Sequence, residues 1–256
     1  MTNNSQSTLT WKPALFRVTL FTKPMPSIAH TDWWKTVTNH DPESTKSQFH
    51  GSVHTAEGVF EGGQLTLQTH PQRIDWVYSI LPSPDEIIVN MPTLGDFDSQ
   101  VNLFTRNLNP WFSMVDQLEF SRLAFGAELF QGVKTPIEGY ESLTSFLNLG
   151  VKIDSDTSDF VYQINRKRKS NGSIADLIIN RLSKWSVATL QVQIQDSVLA
   201  VQDSILNLTP VYANRLELDI NTSPEFQNPI YANQVSTLIQ EMISLGREIA
   251  KNGDVI

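Results

Sequence analysis

The chain has 256 residues, with 19 lysine and arginine residues against 27 acidic residues and a formal net charge of -8. This acidic balance is unfavourable for general binding to nucleic acid or anionic membranes, because those partners are negatively charged as well, although a local basic patch remains compatible with it. The sequence contains no cysteine, which excludes disulfides, thiolate nucleophiles and metal sites with cysteine ligands.

The N-terminal segment predicts a disordered lead over residues 1–12. It is polar and has neither the basic nor the apolar region of a secretory signal. No window approaches 18 consecutive apolar residues, so no membrane span is expected. These features favour a cytoplasmic protein that does not contact a membrane.

Residues 13–116 carry the signals of a first α+β half. A β-rich run at 14–22 predicts a strand, and Thr31-Asp32 predicts the cap of a short helix. Further strands are predicted at 53–60, 64–69, 73–80 and 86–91. A long helix is predicted from Phe97 to Val115, bent or split at Pro110, because an interior proline removes a backbone hydrogen bond.

Residues 117–256 repeat this order as a second half. A strand at 117–130 and a helix at 138–149 come first. Strands at 160–168 and 174–182 flank Ser170-Asn171-Gly172, a sequence typical of a tight hairpin turn. Predicted strands at 185–195 and 215–220 and a helix at 229–251 complete the half, and residues 196–213 are left open between strand, helix and loop.

Two pairs of segments indicate an internal repeat. The run 76–85 can be laid over 216–225, so that Ser83-Pro84 meets Ser223-Pro224. The apolar positions of the two long helices also match at a constant offset of 134 residues. Any helix that faces a core shows such a stripe, which is the alternative explanation.

The predicted fold is therefore α+β, with a tandem duplication of a strand–helix–antiparallel strands–long helix unit. The two halves are expected to form one compact unit, with one large curved antiparallel sheet and the helices packed on one face. The stripe from Tyr231 to Ile249 would suit either the core or the seam of a homodimer.

This order of elements resembles the TATA-binding-protein-like, or helix-grip, architecture over roughly residues 14–251. The strand Leu218-Asp-Ile-Asn221 before the last helix is also similar to small uncharacterised bacterial proteins of about this length. The resemblance implies a saddle with the long helices on its convex side, whose best-known use is DNA binding through a basic and apolar concave face. The acidic charge departs from that pattern, and the resemblance carries over no functional residue.

A basic cluster is the sharpest local feature of the chain. Its six members are Arg166, Lys167, Arg168, Lys169, Arg181 and Lys184. Such a cluster favours binding of nucleic acid or of an acidic protein surface, and the alternative is a solvated strand end. The neighbouring Trp185 would either stack on a base or pack in the core.

Adjacent aromatic residues predict a protein interface at Trp33, Trp34 and Trp111. Neighbouring residues on a helix point about 100° apart, so Trp33-Trp34 and Trp111-Phe112 should not both face inward. A broad buried helix face explains the same pattern equally well.

Signals for chemistry are weak. All five histidines lie in the first 70 residues without a recognised ligand spacing, so neither a metal nor a cofactor is expected. Clustered carboxylates such as Asp96 and Asp98 suit helix caps, and no catalytic motif is present.

These observations predict a non-catalytic adaptor or regulatory protein that acts through protein–protein contacts. The first alternative is nucleic-acid binding through residues 166–184 and the concave sheet face. The second is an enzyme or small-ligand receptor with a cavity between sheet and helices.

Overall fold

A computed structural model describes residues 10–25, 31–48, 50, 52–81, 90–172, 174–191 and 210–254. Its four helices are α1 (Thr31–Thr38), α2 (Phe97–Met114), α3 (Pro136–Phe146) and α4 (Ala232–Asn252). Its strands are β1 (Lys12–Thr22), β2 (Ser44–Gln48), β3 (Val53–Phe60), β4 (Gly63–His70), β5 (Arg73–Ser79), β6 (Glu119–Val133), β7 (Val161–Lys169), β8 (Ile178–Leu190), β9 (Val211–Thr222) and β10 (Ile230–Tyr231).

All ten strands join one antiparallel sheet, as the sequence predicted. The order is β2-β3-β4-β5-β1-β6-β9-β8-β7, and β10 pairs with β6. The pair β1–β6 lies at the centre. From this pair outward, β5, β4 and β3 on one side correspond to β9, β8 and β7 on the other, and β2 is added at one edge.

Alternation along the strands gives the sheet two different faces. In β1, Phe16, Val18 and Leu20 are fully buried under the helices, while Arg17 points to the other side and is only half-buried. Each of the four helices packs on the first face: α1 through Trp34 on Trp76, α2 through Phe104 on Phe16, α3 through Phe146 on Trp185, and α4 through Gly246 on Leu218. We call the other face, which carries no helix among the described residues, the open face.

The apolar stripes of the two long helices lie in the core. The α2 stripe is buried at Phe97, Val101, Phe104, Leu108 and Trp111, as is Val115 directly after the helix. The α4 stripe from Val235 to Ile249 is buried as well. Tyr231 is 51% exposed and precedes α4. The α4 stripe is therefore core within one chain and not a dimer seam, because it packs against β6 and β9 of its own sheet.

The beginning of the chain differs from the predicted lead over residues 1–12. Trp11 is 2% exposed and packs edge-on against Trp185, with ring centroids 5.5 Å apart. Lys12 is already the first residue of β1. Residues 11 and 12 thus belong to the fold, and the tryptophan contributes because it buries more apolar surface than most side chains.

One connection also differs from prediction. The segment between β7 and β8 runs over residues 170–177 and is longer than the tight turn expected at Ser170-Asn171-Gly172. Glu241 of α4 holds it, accepting hydrogen bonds from Ser170 Oγ at 2.6 Å and from Asn171 N at 2.7 Å. Helix α2, which was predicted to be bent or split at Pro110, is one continuous element with Pro110 inside it.

Some predictions fall on residues outside the described set. The turn Ser83-Pro84-Asp85 and most of the predicted strand 86–91 lie in 82–89, and most of the open segment 196–213 lies in 192–209. The matching turn at Ser223 is present, since Phe226 N donates to Ser223 O at 3.1 Å. Within the described residues, no helix has the length and apolar character needed to cross a membrane.

Candidate binding site on the open face of the sheet

The structure places the predicted aromatic interface residues in the core. Trp34 and Trp111 are fully buried, and Trp33 is partly buried with its ring 5.5 Å from that of Trp111. Trp76 joins the same cluster. The predicted interface at Trp34 and Trp111 is therefore corrected: α1 and α2 pack together over the sheet, which leaves no outer face for these rings.

The six residues of the basic cluster are divided between the two faces. Register puts Arg166, Arg168 and Arg181 on the helix face, where carboxylates of α4 and the C-terminal segment meet them. Arg166 makes a two-pronged pair with Asp254, at 2.6 and 2.7 Å, and Arg168 lies 2.8 Å from Glu248. Arg181 is only 3% exposed and lies 3.8 Å from Glu248.

Burial and hydrogen bonds in this network shift the pKa values of three of its members. The Arg166 guanidinium and the Tyr162 hydroxyl both donate to Asp254, and hydrogen bonding to Arg166 above all holds the pKa of that carboxyl below its ordinary value. Burial raises the pKa of Tyr162 and lowers the pKa of Arg181. The network ties β7 and β8 to the end of α4.

The other three basic residues lie on the open-face side, and each has an acidic neighbour. Lys167 lies 3.4 Å from Glu225, Lys169 lies 3.0 Å from Asp176, and Lys184 lies 3.0 Å from Glu217. The basic cluster is thus not one free cationic surface. Trp185 is fully buried, as the core interpretation predicted.

The open face contains a hollow of about 430 Å³ that crosses five adjacent strands. Side chains at its rim come from β1, β6, β7, β8 and β9, and they are Leu15, Arg17, Glu128, Gln163, Leu182, Lys184, Glu217 and Asp219. Gly126 of β6 lies in its floor, where the lack of a side chain leaves room for the side chain of Arg17.

Arg17 is the unusual residue of this hollow. Its guanidinium extends across Gly126, and a Cβ built on that glycine would lie 3.4 Å from Nε and 3.5 Å from Nη2. The Nε atom is shielded from solvent without a hydrogen-bond acceptor. Among the described residues, no carboxylate lies within ion-pair distance of Arg17.

Arg122 lies beside the hollow and resembles Arg17 in lacking a carboxylate partner among the described residues. Its Nη2 donates to Asn221 Oδ1 at 2.8 Å, its Nε is buried without an acceptor, and no described carboxylate pairs with it. The guanidinium carbons of Arg122 and Arg73 lie 5.4 and 5.7 Å from the ring centre of Phe21. Phe21 thereby holds two arginines on the open face.

An amide network connects these residues to the rim. Asn221 accepts from Asn180 Nδ2 at 3.1 Å as well as from Arg122, and it donates to Asp219 Oδ1 at 3.0 Å. Asn180 and Asn221 are buried, so their side chains are fixed rather than solvated. The polar positions of Leu218-Asp-Ile-Asn221 thus belong to this site, while Leu218 and Ile220 face the core.

The other arginines on the open face are paired within the sheet. Arg73 lies 2.7 Å from Asp75, and Arg215 lies 2.5 Å from Glu128 and 3.4 Å from Glu217. The sheet therefore neutralises most of its own charges. Arg17 and Arg122 keep guanidinium donors that suit the oxygens of a carboxylate or phosphate.

Sequence reasoning missed Arg17, Arg122, Asp219 and Asn221 as site residues. A signal was present for Arg17 and Asp219, because each is a polar residue between two apolar residues of a strand, and strict alternation places such residues on the face opposite the core. It was weaker for Arg122 and Asn221, which have Ser121 and Thr222 as neighbours. Their convergence depends on the pairing of β1, β6 and β9, which separate parts of the chain supply.

The acidic residues that remain as candidates for catalysis or metal binding make contacts that stabilise the fold. Asp96 caps α2 by accepting from Ser99 N at 2.8 Å, as its position predicted, and Asp98 pairs with Arg247 at 2.6 Å. Asp75 accepts from Thr19 Oγ1 at 2.6 Å. Within the described part of the chain, no three histidine or acidic side chains are grouped closely enough to hold a metal ion.

Comparison of the chain with protein-family models, with curated proteins and with solved structures found no match in any of the three. The resemblance to TATA-binding-protein-like folds therefore rests on the order of elements alone.

Proposed function

We propose that this is a non-catalytic adaptor or regulatory protein of a bacterial cytoplasm that binds another protein through its open sheet face. The observation that carries the proposal is the hollow, which crosses five strands on the face that the described helices leave uncovered. In protein interfaces the residues that contribute most to binding enter well-packed pockets, and this hollow can receive such a side chain of a partner.

The charges of the open face favour a protein partner over nucleic acid. Binding to a phosphate backbone needs several free cations in a row, whereas the three basic-cluster residues on the open-face side, Lys167, Lys169 and Lys184, each have a carboxylate within 4 Å. The other three members lie on the helix face and are paired there as well. The face carries both signs of charge at fixed positions, which suits the mixed polar rim of a protein interface.

The second alternative, a ligand-binding cavity between the sheet and the helices, is less well supported. The space enclosed by Arg166, Arg181, Ser183, Ile249 and Asp254 has no room for a water molecule. Elsewhere the sheet–helix interface is filled by large side chains such as Trp76 and Phe125. The open face is the better candidate for binding.

The proposal includes the tandem duplication and the saddle shape. The matched strand order on the two sides of β1–β6 supports a duplicated unit, as do the two long helices with matching buried stripes. A hollow whose rim spans five strands supports curvature of the sheet toward the open face.

Filling the hollow tests the proposal. Gly126→Leu places a side chain in the floor, where the nearest atoms belong to the flexible Arg17 side chain at 3.4 Å and beyond. Gly132→Leu is the matched control, because Gly132 lies on the same strand and face, outside the rim, and no atom of the described residues lies within 4 Å of a Cβ built on it. Wild type and both variants would be used as bait in nuclease-treated lysate of the native cell, and thermal unfolding would verify that they are folded.

We expect a protein that wild type and Gly132→Leu retain and that Gly126→Leu loses by at least roughly tenfold, because a leucine in the floor excludes the bound group. Equal recovery with Gly126→Leu would contradict the proposal. Nucleic acid recovered from untreated lysate, with loss of all proteins after nuclease treatment, would favour the first alternative.

A further inference from the structure

We infer that the open face recognises acidic side chains of its protein partner, with the Arg17 and Arg122 guanidinium groups as the carboxylate-binding contacts. This inference rests on the proposed function and names the chemistry of the partner. It assigns a binding role to two residues that the basic cluster at 166–184 does not include.

Comparison within the open face carries the first step. Arg73 and Arg215 lie on the same face, and each has a carboxylate of the sheet within 2.7 Å. Arg17 and Arg122 have no carboxylate neighbour in the described part of the chain, although acidic residues outnumber basic ones in the sequence. Two of these four arginines thus have a carboxylate partner within the sheet, and Arg17 and Arg122 have none among the described residues.

The lack of a carboxylate partner matters because both arginines are partly buried. Both side chains are half-buried, and both Nε atoms are shielded from solvent without an acceptor. A guanidinium that has lost part of its water without gaining a counter-charge is destabilised, and a carboxylate from a partner would offset that loss. An exposed arginine such as Arg106 on α2 keeps its water and has less to gain.

One of the two groups, Arg122, is also held in place before any partner arrives. Arg122 is fixed by its hydrogen bond to Asn221 and by the Phe21 ring. Arg17 lies across Gly126 in contact with the floor of the hollow. Fixed donors lower the entropy lost on binding, which favours recognition of a defined acidic segment.

Strand register sets the length of that segment. Arg17 is paired with Gly126, which lies four residues from Arg122 along β6, a distance of about 13 Å at ~3.3 Å per residue. An extended segment of about five or six residues covers this span. A hexapeptide is therefore a suitable probe.

The experiment measures binding by fluorescence anisotropy with three rhodamine-labelled probes: hexaglutamate, hexaglutamine and hexathymidylate. The proteins are wild type, Arg17→Gln, Arg122→Gln and, as matched control, Arg106→Gln, whose arginine also lacks a described carboxylate partner but lies on the helix side. Thermal unfolding of each variant checks the fold, and Arg17→Gln is the decisive variant because the Arg17 side chain makes no hydrogen bond within the described structure.

We expect wild type to bind hexaglutamate in preference to both other probes. Arg17→Gln and Arg122→Gln should each weaken hexaglutamate binding by roughly tenfold or more, the usual effect of losing a charge-assisted hydrogen bond, and Arg106→Gln should leave it within about twofold. Equal affinity for hexaglutamate and hexaglutamine would overturn the inference. Unchanged hexaglutamate binding by Arg17→Gln would do the same, as would preference for hexathymidylate.

Failure here is distinguishable from failure of the proposed function. If hexaglutamate does not bind while Gly126→Leu still loses a native partner, the open face binds protein by other contacts and only the carboxylate assignment is wrong. If hexaglutamate binding depends on Arg17 while Gly126→Leu retains every protein, the adaptor proposal is wrong.

Discussion

At the scale of single residues, the carboxyl group of Asp254 illustrates how the chain uses its charges. It accepts hydrogen bonds from Arg166 and Tyr162 beside the buried Arg181, so one acidic group near the C-terminus satisfies donors from β7. Because these contacts need the ionised form, they stabilise the fold only while Asp254 is charged.

Asp254→Asn should lower the free energy of unfolding at pH 7 by about 1–3 kcal/mol, because the charged donors of Arg166 lose their counter-charge. The pKa of Asp254 is lower in the folded protein than its ordinary value of 3.8. Its contribution is therefore complete above that value and is lost as pH falls through the folded pKa. Urea unfolding of both proteins between pH 7 and pH 2.5 checks this.

Asp176→Asn is the control for this experiment. Asp176 pairs with Lys169 while both side chains are well exposed, and asparagine also tolerates its positive φ. Its effect should stay within about 0.5 kcal/mol. A difference between wild type and Asp254→Asn that is the same at pH 7 and pH 2.5 would show that the charge of Asp254 is not responsible.

At the scale of elements, the second helix keeps an internal proline without breaking. Pro110 lies on the exposed side of α2, where the carbonyl group of Arg106, which loses its backbone partner, can bond to water. The buried stripe through Leu108 and Trp111 continues past it. Packing of the stripe therefore outweighs the local cost of the proline.

Pro110→Ala should raise the free energy of unfolding by about 2 kcal/mol. Alanine is about 3 kcal/mol more favourable inside a helix, and part of that gain is offset because the unfolded chain becomes more flexible. Ser113→Ala, at an exposed position of the same helix, should change it by no more than about 0.5 kcal/mol. Urea titration measures both, and a destabilised Pro110→Ala protein would refute the argument.

The sequence predicted the helices and strands better than the contacts between them. Alternation and helical spacing depend on neighbouring residues, so β1, the α2 stripe and the Asp96 cap were accessible from local pattern. The burial of Trp34 depends on its contact with Trp76. The position of Arg17 across Gly126, without a described carboxylate partner, depends on the pairing of β1 with β6. Such facts arise from pairings between distant segments, which no local pattern contains.

At the scale of the whole molecule, the pair β1–β6 joins the two halves into one sheet and one core. Trp11 reinforces this, since it precedes β1 but packs on Trp185 of the second half. Either half alone would expose a long central strand edge together with an apolar face, which is an aggregation hazard.

The full chain should therefore unfold in one cooperative transition, and fragments 10–116 and 117–254 should not fold separately. Calorimetry of the full chain and circular dichroism of each fragment measure this. Co-expression of the two fragments is the control, because it restores the β1–β6 pair and should recover a folded complex. Two separate transitions, or a folded isolated half, would contradict a single unit.

The central place of the first strand has a consequence for synthesis of the protein. Phe16 of β1 pairs with Ala127 of β6, 111 residues later, and Phe125 of β6 pairs with Ile220 of β9. A chain leaving the ribosome holds β1 with one neighbour only until β6 has emerged. Because the sheet depends on such distant pairings, its formation is expected in milliseconds to seconds rather than microseconds, and the growing chain presents an unpaired strand edge during that wait.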